Sequence, residues 1–142
     1  MIRRVHIASL AVVALLGASA GSGCLGSPTQ PSPLPLGQSF ELRSGTTAAL
    51  RGGLKVTFDS VGSDSRCPMD ALCVWAGDAV VKLALSQSGV GPGERELHTQ
   101  PTGSEATYST YSIKLQALSP YPRSDRQIRP EDYVATLTVS AP

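Results

Sequence analysis

Hydrophobic and polar residues alternate with a period of two along most of the chain after residue 39. The alternation is clearest in four segments where apolar side chains hold every second position: 54–59, 79–86, 111–116 and 133–140. Successive side chains of a β-strand point to opposite faces, so this pattern predicts half-buried strands. Shorter segments of the same kind lie at 40–43, 47–50 and 95–99, and Gly52-Gly53 is a strong hairpin signal.

These segments predict seven or eight short strands, and no stretch shows a convincing helical period. The strands are separated by a Gly/Pro-rich turn at 89–93, a polar loop at 100–105 and a long Pro-containing loop at 119–131. Many short strands with turn signals at close intervals are typical of an all-β domain. We therefore predict an antiparallel, immunoglobulin-like β-sandwich over residues 39–142, with a small β-barrel as the alternative.

The first 23 residues have the layout of an export signal. Arg3 and Arg4 precede an apolar run over residues 5–18, and small residues follow up to Cys24. The run is shorter than the roughly 20 residues that a permanent membrane span needs, so residues 1–23 are predicted to be a signal peptide. Gly21-Ser22-Gly23-Cys24 resembles a bacterial lipobox, although Gly21 replaces the usual aliphatic residue. We predict a lipoprotein with lipidated Cys24. The alternative is cleavage after Ala20, which gives a soluble periplasmic or secreted protein.

Residues 24–38 are predicted to be a tether between the lipid anchor and the folded domain. This segment contains four prolines and no charged residue, a composition that favours an extended spacer over a packed core. Leu25 follows Cys24 where an aspartate would resemble an inner-membrane retention signal. The predicted location in a Gram-negative cell is therefore the outer membrane, facing the periplasm, and the membrane is the first predicted partner.

Charge and length bear on the kind of partner and on the number of domains. Removal of residues 1–23 takes away two of the 12 basic residues and none of the 11 acidic ones, which leaves 10 and 11. Neither a basic surplus nor a basic stripe is present, so a nucleic-acid partner is not expected. The mature chain has the length of one small domain.

The stretch SDSRCPMDALCVWAGDA, residues 63–79, carries the most unusual chemistry of the sequence. If Cys24 carries lipid, Cys67 and Cys73 remain as a pair, and in an oxidising compartment they are expected to form a disulfide. Two alternatives stay open. Cys67, Met69 and Cys73 are soft ligands suited to Cu(I), and the two thiols would otherwise act in redox chemistry, although that usually requires a C-x-x-C at a helix start.

Three residues of this stretch are candidates for a recognition loop: Arg66, Asp70 and Trp75. Arg66 is expected to pair with a local carboxylate, and Trp75 to pack in the core against the disulfide, with an exposed contact as its alternative. Asp70 belongs to a scattered set of acids that also includes positions 59, 64 and 78. Calcium requires six to eight oxygens, usually at short alternate spacing, so a solvated loop is the favoured interpretation over a calcium site.

The segment DSRCPxxxxCxWAG, residues 64–77, resembles a signature of a family of uncharacterised small exported bacterial proteins, many of them lipoproteins. The resemblance extends to LKVTF, to YSIKLQALSPYP and to IRPEDYVATLTV, so it covers residues 40–139. It implies a single exported β domain in which Cys67 pairs with Cys73. It implies no catalytic residue.

The sequence does not favour an enzyme. After signal cleavage the single remaining histidine is His98, expected at the surface, and no nucleophile elbow, zinc-protease, phosphate-loop or dinucleotide motif is present. An unrecognised hydrolase is the remaining enzymatic alternative, and no cofactor is expected. We predict a membrane-tethered envelope lipoprotein with a structural, accessory or protein-binding role, whose partner is another envelope protein or a cell-wall component. The alternative is an inhibitor of a periplasmic enzyme that presents the loop 66–75, and copper binding comes third. An exposed Trp75 or Arg66 would favour the inhibitor, and a buried Trp75 the structural role.

Overall fold

A computed structural model describes residues 31–142, which form eight β-strands and one short 3-10 helix. The strands are β1 (Ser39–Arg43), β2 (Thr47–Ala49), β3 (Lys55–Asp64), β4 (Ala79–Gln87), β5 (Val90–His98), β6 (Glu105–Tyr108), β7 (Tyr111–Ser119) and β8 (Val134–Ser140). The 3-10 helix, Pro130–Asp132, lies just before β8.

The strands form two separate antiparallel sheets of four strands each. One sheet has the order β1-β8-β7-β6 and the other has the order β2-β3-β4-β5. Both sheets are open. The edge strands are β1 and β6 in the first sheet and β2 and β5 in the second. The predicted antiparallel β-sandwich is therefore confirmed, and the barrel alternative does not apply.

The period-two alternation of the sequence places one face of each sheet in a shared core. In β3 the side chains of Val56 and Phe58 are fully buried, while Lys55 before them and Asp59 after them are exposed. The largest fully buried side chains come from both sheets and from the β2–β3 connection: Leu50, Leu54, Val56, Phe58, Val81, Leu83, Leu85, Leu97, Ile113, Leu137 and Val139. Burial of these aliphatic and aromatic groups is the main force that holds the two sheets together.

The structure corrects the prediction in two connections. Residues 89–93 do not form a Gly/Pro-rich turn, because β5 already begins at Val90 and pairs with Gln87 across a tight hairpin. Gly89 has a φ of 77° there, a left-handed conformation that glycine adopts without steric cost. The strand β6, Glu-Ala-Thr-Tyr, was missed because it directly continues the polar loop at 100–105 and holds only one large apolar side chain, Tyr108.

The two ends of the sandwich differ in the connections that they carry. The chain joins it at the end where Leu34 N–H donates to Ala49 O (2.8 Å) and Gly37 N–H donates to Val139 O (2.7 Å). We call this the tether end. Leu34 and Leu36 pack against the core, so the last residues of the predicted tether segment 24–38 contact the domain. The opposite end, where β3 finishes at Asp64, is the loop end.

Residues 1–30 lie outside the described part of the chain. The predicted signal peptide, the cleavage site at Ala20 and the lipidation site at Cys24 all fall there, so they remain predictions. Within residues 31–142 no helix is long and apolar enough to cross a membrane.

Candidate functional site

A 14-residue connection between β3 and β4 extends from the loop end of the sandwich. We call this connection, residues 65–78, the tip loop. Four of its large apolar side chains are mostly exposed: Met69 by 68 %, Leu72 by 105 %, Val74 by 89 % and Trp75 by 82 %. The preferred prediction for Trp75, a core position against the disulfide, is therefore wrong. Trp75 lies in the loop beyond the end of β3, where its side chain does not reach the core between the sheets.

A disulfide between Cys67 and Cys73 closes the outer part of the tip loop, with the two Cα atoms 5.9 Å apart. The predicted pairing is thus present in the structure. Because each sulfur is bonded to the other, neither is the free thiolate that a copper site or a redox centre uses. The closed ring holds five residues between its cysteines, which include Met69 and Leu72.

The two limbs of the tip loop are also joined by backbone hydrogen bonds below the disulfide. Ser65 N–H donates to Asp78 O at 2.7 Å, and Cys67 N–H donates to Ala76 O at 3.0 Å. Gly77 completes this close approach with a φ of 71°, and a Cβ at this position would lie only 1.8 Å from Ser65 O. Glycine is therefore the residue type that the stem requires at position 77.

Arg66 anchors the stem to the sandwich. Its side chain is 4 % exposed, and its Nε and Nη2 donate to the two carboxylate oxygens of Asp64 at 2.8 and 2.6 Å. Nη1 donates to Leu118 O at 2.6 Å and Nη2 to Pro120 O at 3.0 Å, so one guanidinium joins the two sheets. The predicted pairing of Arg66 with a local carboxylate is confirmed. Its burial makes it a structural anchor and not a contact residue.

Asp64 is the counter-ion of Arg66 and is itself mostly buried. Burial raises the pKa of Asp64, but the hydrogen bonds and charge of Arg66 outweigh it, so the pKa lies below its ordinary value. The Tyr133 hydroxyl also donates to Asp64, at 3.0 Å. Burial and this carboxylate together raise the pKa of Tyr133 to about 12. At neutral pH this cluster therefore consists of the ion pair of Arg66 with Asp64 and the neutral phenol of Tyr133.

The loop that follows β7 supports the tip loop from the side. Met69 N–H donates to Pro122 O at 3.0 Å. Asp70 accepts from Ser124 twice, from the backbone N–H at 2.9 Å and from the hydroxyl at 2.6 Å, and these bonds lower the pKa of Asp70. The ring of Tyr121 lies 4.9 Å from the Arg66 guanidinium carbon. Asp70, predicted as a contact residue, thus has its carboxylate occupied within the chain.

A second polar cluster fixes the descending limb of the tip loop. His98 Nδ1 donates to Asp78 at 2.5 Å, and Thr99 Oγ1 and Gln100 N–H donate to its other oxygen at 2.9 and 3.1 Å. Burial raises the pKa of Asp78, but these bonds outweigh it and the pKa lies below its ordinary value. The His98 side chain is 38 % exposed, in agreement with its predicted surface position.

The structure separates the predicted recognition residues into two groups. Arg66 and Asp70 hold the stem, while Trp75 is presented to solvent. Sequence reasoning missed Leu72 and Val74, which shortly precede Trp75 in the chain and are exposed as well. The available signal was a run of apolar residues, ALCVW, inside a segment bounded by Pro68 and Gly77.

No group of three or more His, Cys, Asp or Glu side chains among residues 31–142 is arranged to hold a metal ion. Three of the acids considered for calcium are occupied separately: Asp64 by Arg66, Asp70 by Ser124 and Asp78 by His98.

Comparison of the chain with protein-family models, with curated proteins and with solved structures gives no match.

Proposed function

We propose that this chain is a non-enzymatic, membrane-tethered protein of the bacterial cell envelope that binds another envelope molecule through its tip loop. One observation carries the proposal: Met69, Leu72, Val74 and Trp75 are exposed together on one short loop. Single exposed apolar residues are ordinary, but a cluster of them marks an interaction site.

The energetics of the tip loop fit a binding surface. Burial of a Val, Leu or Met side chain contributes about 1.5–3 kcal/mol, so the four apolar side chains offer roughly 6–12 kcal/mol in total. Association costs about 4–15 kcal/mol in lost freedom, and ordering of a flexible loop adds to that cost. The disulfide and the Arg66 anchor reduce the ordering cost because they fix the loop before it binds.

A second candidate function is inhibition of an envelope enzyme. The observation that favours it is the shape of the site, since a disulfide-closed loop that projects from a rigid sandwich can enter an active-site cleft. Exposure of Trp75 was the feature expected of an inhibitor. In this version Trp75 and Leu72 make the contact, because Arg66 is only 6 % exposed.

Copper binding is the weakest of the candidate functions. It requires Cys67 and Cys73 as thiolates, and their disulfide must first be reduced. Metal titration of the reduced protein, with the oxidised protein as its control, tests this alternative.

The membrane tether rests on the predicted lipidation of Cys24. The test is intact mass spectrometry of the protein purified from its own host's membranes, before and after reduction and thiol alkylation. We expect a diacyl or triacyl mass on a chain that begins at Cys24, with Cys67 and Cys73 alkylated only after reduction. A chain that begins at Gly21 without lipid would refute the tether.

The binding role is tested with a photo-crosslinking amino acid placed at Leu72 in cells of the host. The matched control is the same amino acid at Val90, an exposed apolar residue (39 %) in the β4–β5 hairpin at the tether end. We expect discrete crosslinked products from Leu72 and none from Val90. Equal yields from both positions would contradict a binding role for the tip loop. Any envelope enzyme found in the crosslinked product from Leu72 can then be purified and assayed for inhibition by this protein.

A further inference from the structure

We infer that a cavity beside the stem of the tip loop binds an N-acetylated sugar unit of a polysaccharide. We call it the stem cavity. It lies between the stem, the connection that follows β5, the last residues of β7 and Tyr121. Its volume is about 280 Å³, at the lower limit of the roughly 300–1,000 Å³ of ordinary ligand pockets, which suits one sugar ring. The site is separate from the exposed apolar side chains of the tip loop, so its role is independent of the binding role proposed for them.

The stem cavity exists because β6 covers only part of β7. The pairs between these strands run from Tyr108–Tyr111 to Glu105–Lys114, and just beyond them Leu115 N–H donates to Ser104 O at 2.8 Å. Residues 116–119 of β7 therefore have β8 on one side and, within the described chain, no strand on the other. Residues 115–118 form one wall of the cavity.

Two hydrogen-bond donors in the wall of the stem cavity have no acceptor among residues 31–142. The first belongs to Arg66. A guanidinium carries five N–H groups, and four of them donate, two to Asp64 and one each to Leu118 O and Pro120 O. The fifth is the second N–H of Nη1. The other donor without an acceptor is the backbone N–H of Leu118.

The register of the sheet gives the orientation of Leu118. Ser44 N–H donates to Tyr133 O at 2.9 Å, so alternate residues of β8 from Tyr133 onward, Ala135 among them, direct their backbone groups at β1. Leu118 lies opposite Ala135, and its own N–H and C=O therefore point away from β8. Since Leu118 O accepts from Arg66 Nη1 at 2.6 Å, the two donors lie side by side, within reach of one ligand oxygen.

The charge of the stem cavity selects a neutral oxygen. Among the described residues that line it, Arg66 is the only charged one. Its charge is matched by Asp64, whose carboxylate lies 2.6 Å from Nη2. A carboxylate or phosphate would bring a second negative charge next to Asp64 without a second cation to balance it, which is costly at a buried site. The carbonyl oxygen of an amide accepts from both donors and adds no charge.

The remaining walls supply what the rest of an N-acetylated sugar requires. The ring of Tyr121 is 48 % exposed, and an aromatic ring is a suitable surface for the C–H face of a sugar ring. The amide nitrogens of Gln100 and Gln116 already donate within the chain. Their amide oxygens have no donor among the described residues, so they can accept from sugar hydroxyl groups.

An extended peptide fits the same wall poorly. A peptide that adds a strand to a sheet needs a regular series of N–H and C=O groups along the edge. The register of β7 shifts between Leu115 and Ala117, and Leu118 O already accepts from Arg66. The uncovered part of β7 thus offers an isolated N–H instead of a regular ladder, which suits a single carbonyl group.

The test is NMR spectroscopy of the full-length protein with two disaccharides as probes. N,N′-diacetylchitobiose carries acetamido groups, and cellobiose, with hydroxyl groups in their place, is its matched control. We expect diacetylchitobiose to shift the backbone amide signal of Leu118 and the side-chain amide signals of Gln100 and Gln116. We expect cellobiose to bind at least about tenfold more weakly, because it lacks the carbonyl oxygen that accepts from both donors. Equal affinity for the two disaccharides would overturn the inference.

Two variants locate the site without a change of Arg66, whose loss would destabilise the domain. Gln116→Ala removes an exposed amide and should weaken the binding of diacetylchitobiose by about three- to tenfold. Gln38→Ala, at an exposed glutamine of the tether end, should leave it unchanged. Equal binding by the two variants would refute the stem cavity as the site.

A third probe separates sugar from peptide. N-acetylalanine methylamide carries the same acetamido group on a peptide backbone, and we expect it to bind more weakly than diacetylchitobiose. If it binds as tightly and shifts Leu118 as strongly, the inference is overturned in favour of a peptide ligand. If none of the three probes shifts Leu118, the cavity holds water only and the inference fails. None of these results alters the crosslinks expected from Leu72, which test the tip loop alone.

Discussion

Replacement of Arg66 by methionine is expected to destabilise the domain far more than a change of any exposed charged residue. Arg66→Met keeps much of the apolar stem of the side chain but removes every donor of the guanidinium. The carboxylate of Asp64, only 9 % exposed, then keeps the Arg66 backbone N–H at 3.2 Å and the Tyr133 hydroxyl at 3.0 Å as its partners. Leu118 O and Pro120 O lose their donor as well.

The magnitude follows from the unpaired buried charge. Removal of one partner of a buried ion pair costs about 3–5 kcal/mol, which is a large share of the 5–15 kcal/mol that stabilises a typical domain. At about 4 °C per kcal/mol for a domain of this size, the melting temperature should fall by about 12–20 °C. Circular dichroism in urea and heat is the suitable assay, because the exposed Trp75 is a poor reporter of folding.

Two control variants separate this mechanism from a general effect of charge. Arg123→Met removes an arginine whose ion pair with Asp125 is exposed, so almost no change in stability is expected. The double variant Asp64→Asn with Arg66→Met leaves no buried charge, and it should recover part of the lost stability. If Arg66→Met is no less stable than Arg123→Met, the anchor role of Arg66 is refuted.

The same pair predicts a pH dependence. The pKa of Asp64 lies below its ordinary value of 3.8 in the folded protein, so its ionised form stabilises the fold above that pH. This stabilisation is lost as the pH falls through the lower, folded pKa. In Arg66→Met, burial acts without the guanidinium and the pKa of Asp64 should rise. The stability difference between the native protein and this variant should therefore shrink as the pH falls from 7 to below 4. A difference that stays constant over this range would contradict the assignment.

Three further predictions concern the tip loop. Gly77→Ala should destabilise by more than about 2 kcal/mol, since its Cβ would collide with backbone, while Gly89→Ala, in open space, should cost only about 1 kcal/mol; urea unfolding compares them. Trp75→Ala should leave stability within about 0.5 kcal/mol of native, and a loss of several kcal/mol would place the indole in the core. Replacement of Cys67 and Cys73 by alanine should lower the free energy of unfolding by about 2 kcal/mol, since the ring is short. It should also make the tip loop sensitive to proteolysis. A tip loop that stays uncleaved in this variant would show that the disulfide does not hold the loop in place.

The fold was predictable because a strand with one buried face requires an apolar side chain at every second position of the sequence. Leu54, Val56 and Phe58 alternate with polar residues, and all three are buried. The parts that were missed carry no such signal. β6 holds one large apolar side chain, Tyr108, and continues a polar loop, and the start of β5 at Val90 is hidden by Gly91 and Gly93, which also suit a turn.

The candidate site was predictable in its chemistry but not in its orientation. The pairing of Cys67 with Cys73 was predicted from the number of cysteines and the expected oxidising compartment, and the ion pair of Arg66 from the carboxylates close to it in sequence. Whether Trp75 faces the core depends on how far the stem lifts it from the sandwich. That distance is set by the contacts of Arg66 with Leu118 and Pro120, more than 50 positions away in sequence.

The most direct test of the central claim, that a rigid stem presents the indole of Trp75 to solvent, is the fluorescence of the free native protein. We predict an emission maximum that hardly moves when the protein unfolds in urea, and collisional quenching by acrylamide close to that of a free indole. Emission at shorter wavelength in the native state, with protection from acrylamide that is lost on unfolding, would contradict the account.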